Sequence, residues 1–194
     1  MNKVDATKPD AGRLDITAWT EAALELLGLE GINGVRVEVL AKRMGVTKGS
    51  FYWHFKDRQA LYDNMLAHWR KLATLSLIER LNEQEKDPVA RFRRLTRIPV
   101  VHRRGTQVTN VELAIRLWGL TDEKARKALE EVDDLRLRYI AGLLKDCGVS
   151  EEEAEARAML AHSYMRVAPS ILDRDQDAFM QQCEDAILGD VVKN

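Results

Sequence analysis

The chain is poor in residues that break helices and in residues that crosslink chains. Its 194 residues include 2 Cys, 4 Pro and 11 Gly. So little proline and glycine favours long helices over loop-rich β structure. Cys147 and Cys183 lie far apart and match no metal-binding or redox spacing, so we expect two free thiols.

Long apolar segments are absent as well. No run approaches the roughly 18 apolar residues of a membrane helix, and residues 1–14 lack the apolar segment of a signal peptide. With 45% hydrophobic and 31% charged residues, the composition is typical of a globular chain. We therefore expect a cytoplasmic protein with no membrane partner.

The sequence also lacks the motifs of common enzyme classes. It contains no P-loop, G-x-G-x-x-G or G-x-S-x-G pattern, and its four histidines show no close metal-binding spacing. These absences argue against an enzyme, and they predict no cofactor and no metal site.

Neither sign of charge predominates, since the net charge is −1, but the charged residues are unevenly distributed along the chain. Residues 36–58 contain two acidic and six basic residues, which gives the segment a net charge of +4. A local basic patch suits a small DNA-binding surface, although an ordinary solvated surface has the same composition. The basic residues are Arg36, Lys42, Arg43, Lys48, Lys56 and Arg58.

Apolar residues recur at helical spacing through most of the chain, and no strand pattern is present. The pattern predicts about nine helices. The first four begin near Asp15, Val37, Thr47 and Asp57, and the fourth is long. The fifth begins at Pro88 and is expected to end near Pro99, where the ring removes a backbone donor. The remaining four are predicted at about residues 109–118, 121–147, 150–169 and 176–188.

The second and third helices match a helix-turn-helix over residues 37–55. Ala41 is small enough for the two helices to approach closely, and Gly45 suits the sharp turn. Leu40, Val46 and Phe51 can form a small core. The start and outer side of the third helix, which reads the major groove in such motifs, then carries Lys48, Gly49, Ser50, Tyr52, Trp53 and His54.

Taken singly, Tyr52 and Trp53 are more often packing residues than DNA contacts. The DNA-binding interpretation depends on the ordered combination of capping residue, turn glycine, aromatic and basic residues. A helical adaptor that binds only protein is an alternative, but it does not account for that combination.

Residues 45–61 resemble the signature of the TetR family, in which a Tyr-x-His-Phe element (here residues 52–55) is followed by a basic residue and Leu. The resemblance covers about residues 14–66. It implies an all-α fold: an N-terminal three-helix helix-turn-helix domain (14–60), joined by a long helix to a C-terminal helical bundle (61–194). A disordered tail is expected at residues 1–13.

The resemblance also implies roles for individual residues. Lys48, Gly49 and Ser50 would face base edges or adjacent phosphates, and Trp53 would border the groove. Contacts to phosphates are implied for Tyr52, His54 and Arg58. One departure is Val37, where many members carry a Ser or Thr that caps the helix and contacts phosphate; Arg36 could substitute. The implied DNA-binding set is Arg36, Val37, Thr47, Lys48, Gly49, Ser50, Tyr52, Trp53, His54 and Arg58.

By the same resemblance, the C-terminal bundle binds an effector and forms a homodimer. The implied function is a ligand-responsive repressor that binds double-stranded DNA at a two-fold-related operator and is released by a small molecule. Candidate effector residues are Trp69, Phe92, Arg97, His102, Trp118, Tyr139 and Tyr164, although each aromatic could equally be plain core. Candidate interface residues are Tyr164, Phe179, Cys183 and Ile187.

Six arginines fall between residues 91 and 104 with no acidic residue among them. This stretch is open to two interpretations, a site for an anionic effector or a salt-bridged surface. Arg97 and His102 flank Pro99, where a broken helix would line a cavity.

Overall fold

The structure is a computed structural model that describes residues 15–103, 111–171 and 177–192. Within these ranges it contains helices and no strand, which confirms the all-α prediction. The predicted N-terminal tail lies outside the described residues. The α-helices are α1 (Ile16–Glu30), α2 (Val37–Arg43), α3 (Lys48–Tyr52), α4 (Arg58–Ala73), α5 (Leu75–Gln84), α6 (Pro88–Arg103), α7 (Val111–Gly119), α8 (Glu123–Asp146), α9 (Glu151–Ile171) and α10 (Asp177–Leu188).

Two hydrophobic cores hold these helices together. The first is built by α1 to α4, α7 and the N-terminal half of α8, with Trp19, Phe51 and Trp118 among its members. The second is built by α5, α6, α9, α10 and the C-terminal half of α8, with Phe92 and Leu144 among its members. The first core extends past residue 60, so the expected domain boundary there does not separate two cores.

Helix α8 is shared between the two cores. It has 24 residues, or roughly 36 Å at 1.5 Å per residue. Ala125–Val132 contributes to the first core and Ile140–Leu144 to the second. Between these stretches, Asp133 and Arg136 are only partly exposed and form ion pairs. The middle of α8 is therefore a polar junction between two apolar units.

Helix α4 ends where its apolar stripe ends. Leu61, Met65, Trp69 and Leu72 form that stripe, and α4 ends at Ala73, where Thr74 leaves the helical region with φ −129° and ψ −89°. Thr74 is buried, and its hydroxyl donates to the carbonyl of Arg70 at 2.7 Å. A separate helix, α5, which the sequence did not predict, starts directly afterwards.

Helix α6 passes through Pro99 and extends to Arg103. The expectation that it ends near Pro99 is therefore wrong. The ring removes one backbone donor, but Phe92 and Leu95 are buried in the second core and anchor the helix on its N-terminal side.

Candidate nucleic-acid interface

The turn between α2 and α3 is fixed by a glycine with positive φ. Gly45 has φ +70°, a conformation that L-residues with a side chain rarely adopt. Its N–H donates to the carbonyl of Lys42 at 3.3 Å, and the N–H of Val46 donates to the carbonyl of Ala41 at 2.9 Å. This pair of bonds is the Schellman arrangement that ends a helix. It sets the direction in which α3 leaves α2.

An aromatic cluster holds α3 from the inside. Phe51 is fully buried, packs edge-on against Trp19 at 5.5 Å between ring centroids, and stacks on Phe55 at 5.2 Å. Leu40 is also fully buried. Because Phe51 and Phe55 are turned inward, Tyr52 and Trp53 point outward, with 62% and 89% of their surface exposed. Tyr52 makes one edge-on ring contact, with Phe51 at 5.2 Å between centroids, and most of both side chains remains open to solvent.

The start of α3 combines small and polar groups. Lys48 and Gly49 are exposed, while Ser50 and His54 are partly buried. Thr47 occupies the predicted N-cap position, but its side chain accepts no backbone N–H. Its hydroxyl instead lies 3.4 Å from the hydroxyl of Ser50.

Lys48 is paired in the free protein with a residue that sequence reasoning did not single out. Its Nζ donates to Oε1 of Glu38 on α2 at 2.8 Å. This hydrogen bond is the main reason that the pKa of Glu38 lies below its usual value. Both side chains are more than half exposed, so the pair is screened by salt and opens readily.

Three further predicted contacts lie at helix starts. Arg36 is exposed at the N-cap of α2 without a side-chain capping bond. Val37 is 9% exposed and belongs to the first core, so its side chain is not available to a ligand. Arg58 is exposed at the first position of α4, with its guanidinium 5.4 Å from the ring centroid of Tyr62.

All six basic residues of the 36–58 segment are exposed. Arg43 is engaged by Glu25 at 2.7 Å. Asp57, one of the two acidic residues, is occupied as the cap of α4 and accepts from the N–H of Ala60 at 2.8 Å. The patch thus presents mainly positive groups around the exposed side of α3.

The structure does not bring the candidate effector residues together. Trp69 and Trp118 belong to the first core, whereas Phe92 belongs to the second and Tyr139 and Tyr164 pack against it. The side chain of His102 lies outside the described residues. An open, largely apolar groove of about 320 Å³ lies elsewhere, between α1 and α7, and includes Trp118 in its lining.

Four arginines of the 91–104 stretch are engaged within the chain. Arg93 and Arg97 both contact Glu184 of α10, at 3.3 and 2.9 Å. Glu184 is fully buried and also accepts from the hydroxyl of Thr96 at 2.9 Å. The other two, Arg91 and Arg94, bond to acceptors between residues 84 and 86. The salt-bridged interpretation fits the structure for Arg93 and Arg97, whereas Arg91 and Arg94 bond to neutral oxygens. Arg103 and Arg104 have no described side chains.

A second ionic group, here called the junction cluster, lies at the middle of α8 and was not predicted. Glu112 of α7 is contacted by three arginines, Arg116, Arg136 and Arg166. Asp133 of α8 is contacted by Arg116 at 2.7 Å and by His162 at 3.3 Å. The cluster consists of Glu112, Arg116, Asp133, Arg136, His162 and Arg166.

The two carboxylates of the junction cluster are held ionised. Burial by itself would raise the pKa of Glu112, but the charges of Arg136 and Arg166 outweigh it and lower the pKa to about 2. Burial likewise opposes ionisation of Asp133, yet hydrogen bonds from His162 and Arg116 bring its pKa well below the usual value. Both acids therefore carry their charge at neutral pH.

The candidate interface residues have different environments. Phe179 is 50% exposed on α10, and Cys183 and Tyr164 are partly buried. Ile187 is 8% exposed and packs in the second core of its own chain. Two large apolar residues of α9 that were not predicted, Met159 and Leu160, are 52% and 61% exposed.

None of the helices in the described ranges is long and apolar enough to cross a membrane. The same ranges contain no group of His, Cys, Asp and Glu side chains arranged to hold a metal ion.

Comparisons with known proteins match the helix-turn-helix segment. Residues 20–65 match the family model of bacterial regulatory proteins, tetR family. The chain is 41% identical over 51 residues to the tetracycline repressor protein class D of Escherichia coli, covering 26% of this chain and 23% of that protein. It is 38% identical over 45 residues to the HTH-type transcriptional regulator AcrR of Shigella flexneri, covering 23% of this chain and 21% of that protein.

Over most of its length the chain is similar to solved structures in fold alone. A transcriptional regulator from Rhodococcus sp. Rha1 superposes with a TM-score of 0.65 at 18% sequence identity, covering 92% of this chain and 96% of that one. The sequence matches, by contrast, span less than a quarter of the length of the curated relatives named above.

Proposed function

Since this chain belongs to the TetR family of bacterial regulatory proteins through residues 20–65, we propose that it is a DNA-binding transcription regulator. We further propose that it acts as a repressor that a small molecule releases from its operator. The observation that carries the first proposal is the outer side of α3. There Lys48, Gly49, Tyr52 and Trp53 are all exposed, on a helix fixed from within by Phe51.

In the proposed complex, α3 enters the major groove with its first turn toward the bases. Lys48 exchanges its bond to Glu38 for a phosphate or base oxygen, and Gly49 lets the helix backbone approach closely. Tyr52 and His54 donate to phosphates, and Arg58 adds a charged contact at the start of α4. Arg36, Thr47, Ser50 and Trp53 complete the surface. We leave Val37 out of it because its side chain packs in the first core.

Replacing Lys48 or Tyr52 by alanine is expected to weaken operator binding without unfolding the chain, because both side chains are exposed. Loss of one phosphate contact at Lys48 should reduce the slope of log affinity against log salt by about one. Fluorescence anisotropy with operator DNA at several salt concentrations measures both effects.

Lys127→Ala is the matched control for Lys48→Ala. Lys127 is similarly exposed, at 62%, and similarly paired, with Glu123 at 3.1 Å, but it lies on α8. The control should keep the wild-type affinity and salt slope. If Lys48→Ala and Tyr52→Ala also bind like the wild type, α3 is not the groove-binding helix.

Gly49→Ala is expected to stabilise the fold and weaken DNA binding at the same time. A methyl group at Gly49 would meet only the hydroxyl of Thr47 at 3.5 Å, an ordinary contact. Alanine is the better helix former by about 0.5–1 kcal/mol, so the fold itself does not require this glycine. A DNA backbone or base edge close to Cα would require it, and a loss of about tenfold in affinity, or 1.4 kcal/mol, is expected.

Gly142→Ala separates the two effects of Gly49→Ala. Gly142 lies on α8 and has no atom within 4 Å of an added Cβ. Its substitution should raise the denaturation midpoint by a similar amount and leave DNA affinity unchanged. If the Gly49→Ala protein binds operator as tightly as the Gly142→Ala protein, DNA does not lie close to the Cα atom of Gly49.

We also propose that the regulator is a homodimer. A five-residue recognition helix reads few bases, and a two-fold dimer presents two such helices about 34 Å apart. The proposed seam lies on α9 and α10 and uses Phe179, Cys183 and Tyr164. Because Ile187 packs in its own core, the exposed residues Met159 and Leu160 take its place.

Sedimentation velocity at micromolar concentration should show a dimer for the wild type, and Leu160→Glu should shift it toward monomer because a charge would be buried in the seam. Leu120→Glu is the control, since Leu120 is 80% exposed just beyond α7. A wild-type monomer would contradict the proposed dimer, and a dimeric Leu160→Glu protein would contradict the proposed seam.

Release by a small molecule is proposed to act through α4. This helix begins at Arg58, close to α3 in sequence, and its side chains Met65 and Trp69 pack in the first core together with α8. A ligand that prefers one arrangement of α4 shifts the distance between two recognition helices, with typical coupling of about 1–3 kcal/mol. Operator binding with and without an added ligand tests this step.

A further inference from the structure

The junction cluster has more positive than negative charge. Its three guanidiniums and two carboxylates leave a formal charge of +1, to which His162 adds only when it is protonated. One carboxylate, Glu112, accepts from all three arginines. The arginines are 14–34% exposed at their side chains, so water compensates the excess only in part. The cluster is therefore suited to receive one additional negative group.

Two buried polar atoms of the cluster have no hydrogen-bond partner. They are Nδ1 of His162 and Nε of Arg166. The His162 side chain is nine-tenths buried, and its other nitrogen, Nε2, is the one that faces Asp133. Nε of Arg166 is an N–H donor, and a buried donor without a partner costs free energy that a ligand or water oxygen would recover. Nδ1 of His162 can donate to such an oxygen only while the imidazole carries a proton on both nitrogens, since Nε2 already faces Asp133. The guanidinium edge that carries Nε is the edge that a carboxylate binds with two parallel bonds.

The same cluster touches the end of α4. Nε of Arg136 donates to the carbonyl of Ala73 at 3.1 Å. Ala73 is the last residue of α4, directly before the break at Thr74. Arg136 thus contacts both Glu112 and the end of α4. Any ligand that changes the hydrogen bonds of Glu112 therefore also acts on Arg136.

We propose that the junction cluster binds the carboxylate of an acidic effector, with Arg166 as the principal contact and His162 beside it. The proposal rests on the ligand-responsive function inferred above and specifies its ligand class. The bound carboxylate competes with Glu112 for guanidinium donors. The hydrogen bond from Nε of Arg136 to the carbonyl of Ala73 then changes, and α4 moves relative to α8. The expected change in operator affinity is about 5–150-fold, the usual range of such coupling.

The test uses straight-chain carboxylates from acetate to decanoate, each paired with the primary amide of the same chain length. Binding to the full chain without DNA is measured by thermal shift and by titration calorimetry at constant ionic strength. At least one carboxylate should bind about tenfold or more tightly than its amide, because a charge-assisted pair of bonds is gained. Equal binding of acids and amides, or no binding by any acid of the series, would overturn the proposal.

Two variants localise the site. Arg166→Gln should remove the preference for the acid, while Arg126→Gln should keep it, since Arg126 is an exposed arginine paired with Glu130 at 2.6 Å. Arg166→Lys retains the charge and lacks the two-bond edge, so it should lose most of the preference even if Arg166→Gln fails to fold. A preference that survives in both Arg166 variants would place the anion elsewhere and overturn the assignment.

Operator binding without ligand is measured separately. A chain that prefers acids but shows no salt-dependent DNA binding would refute the proposed function and keep the carboxylate site. A chain that binds operator but shows no preference for acids would refute the site and keep the DNA-binding function.

Discussion

Glu184→Ala is expected to lower the free energy of unfolding by about 2–4 kcal/mol and to loosen α10 from α6. Glu184 is fully buried and accepts from Arg93, Arg97 and Thr96. Removing one partner of a buried ion pair typically costs about 3–5 kcal/mol, because the other charge is left without compensation. Here the two arginines are 23% and 34% exposed, so water recovers part of the loss.

Urea denaturation followed by circular dichroism measures the stability change for Glu184→Ala. The control is Glu130→Ala, which removes a carboxylate that is 60% exposed and should change the free energy of unfolding by about 0.5 kcal/mol or less. Because α10 carries Phe179 of the proposed seam, the dimer should weaken only in Glu184→Ala. Equal stability of the two variants would mean that the buried pairs contribute no net stability.

Glu112→Gln is the second substitution with a large expected effect, again about 2–4 kcal/mol at neutral pH. The folded pKa of Glu112 is about 2 against an unfolded value near 4.5, and each pKa unit corresponds to about 1.4 kcal/mol. Glutamine keeps the shape but removes the charge that Arg116, Arg136 and Arg166 share. The junction cluster then holds three guanidiniums with Asp133 as the one remaining carboxylate.

The effect of Glu112→Gln should depend on pH in a defined direction. A depressed folded pKa contributes stability that is fully present above the unfolded pKa and is lost as pH falls through the folded pKa. The difference between wild type and Glu112→Gln should therefore be constant above about pH 5 and shrink between about pH 4.5 and pH 2. Glu130→Gln, which changes an exposed acid of α8, should show no comparable pH-dependent difference from the wild type. A difference independent of pH would show that the ionised carboxylate is not the cause.

The helix-turn-helix could be predicted because its determinants are local. The turn needs a glycine at residue 45, and the spacing of Phe51, Tyr52 and Phe55 in and just after α3 decides which side chains face inward. Val37 shows the limit of local reasoning. Its position suggested a phosphate contact, but its apolar side chain packs in the first core. A helix start is exposed or buried according to what lies against it, which the sequence does not state.

The ionic groups could not be predicted because their partners are distant in sequence. Glu112 meets Arg136 across 24 residues and Arg97 meets Glu184 across 87. Helix ends show the same limit. Thr74 is neither Gly nor Pro yet directly follows α4, and Pro99 lies within α6 although proline disfavours a helix interior, so local propensity alone fixes neither boundary.

We expect the two cores to open as separate units, although they share one continuous helix, α8. Amide protection follows the packing that buries each segment. Exchange at residues 125–132 should follow opening of the helix-turn-helix core, and exchange at residues 140–144 should follow opening of the core built with α9 and α10. The expected boundary between the two units is the turn around Asp133 and Arg136, whose side chains belong to neither core, although no loop divides the chain there.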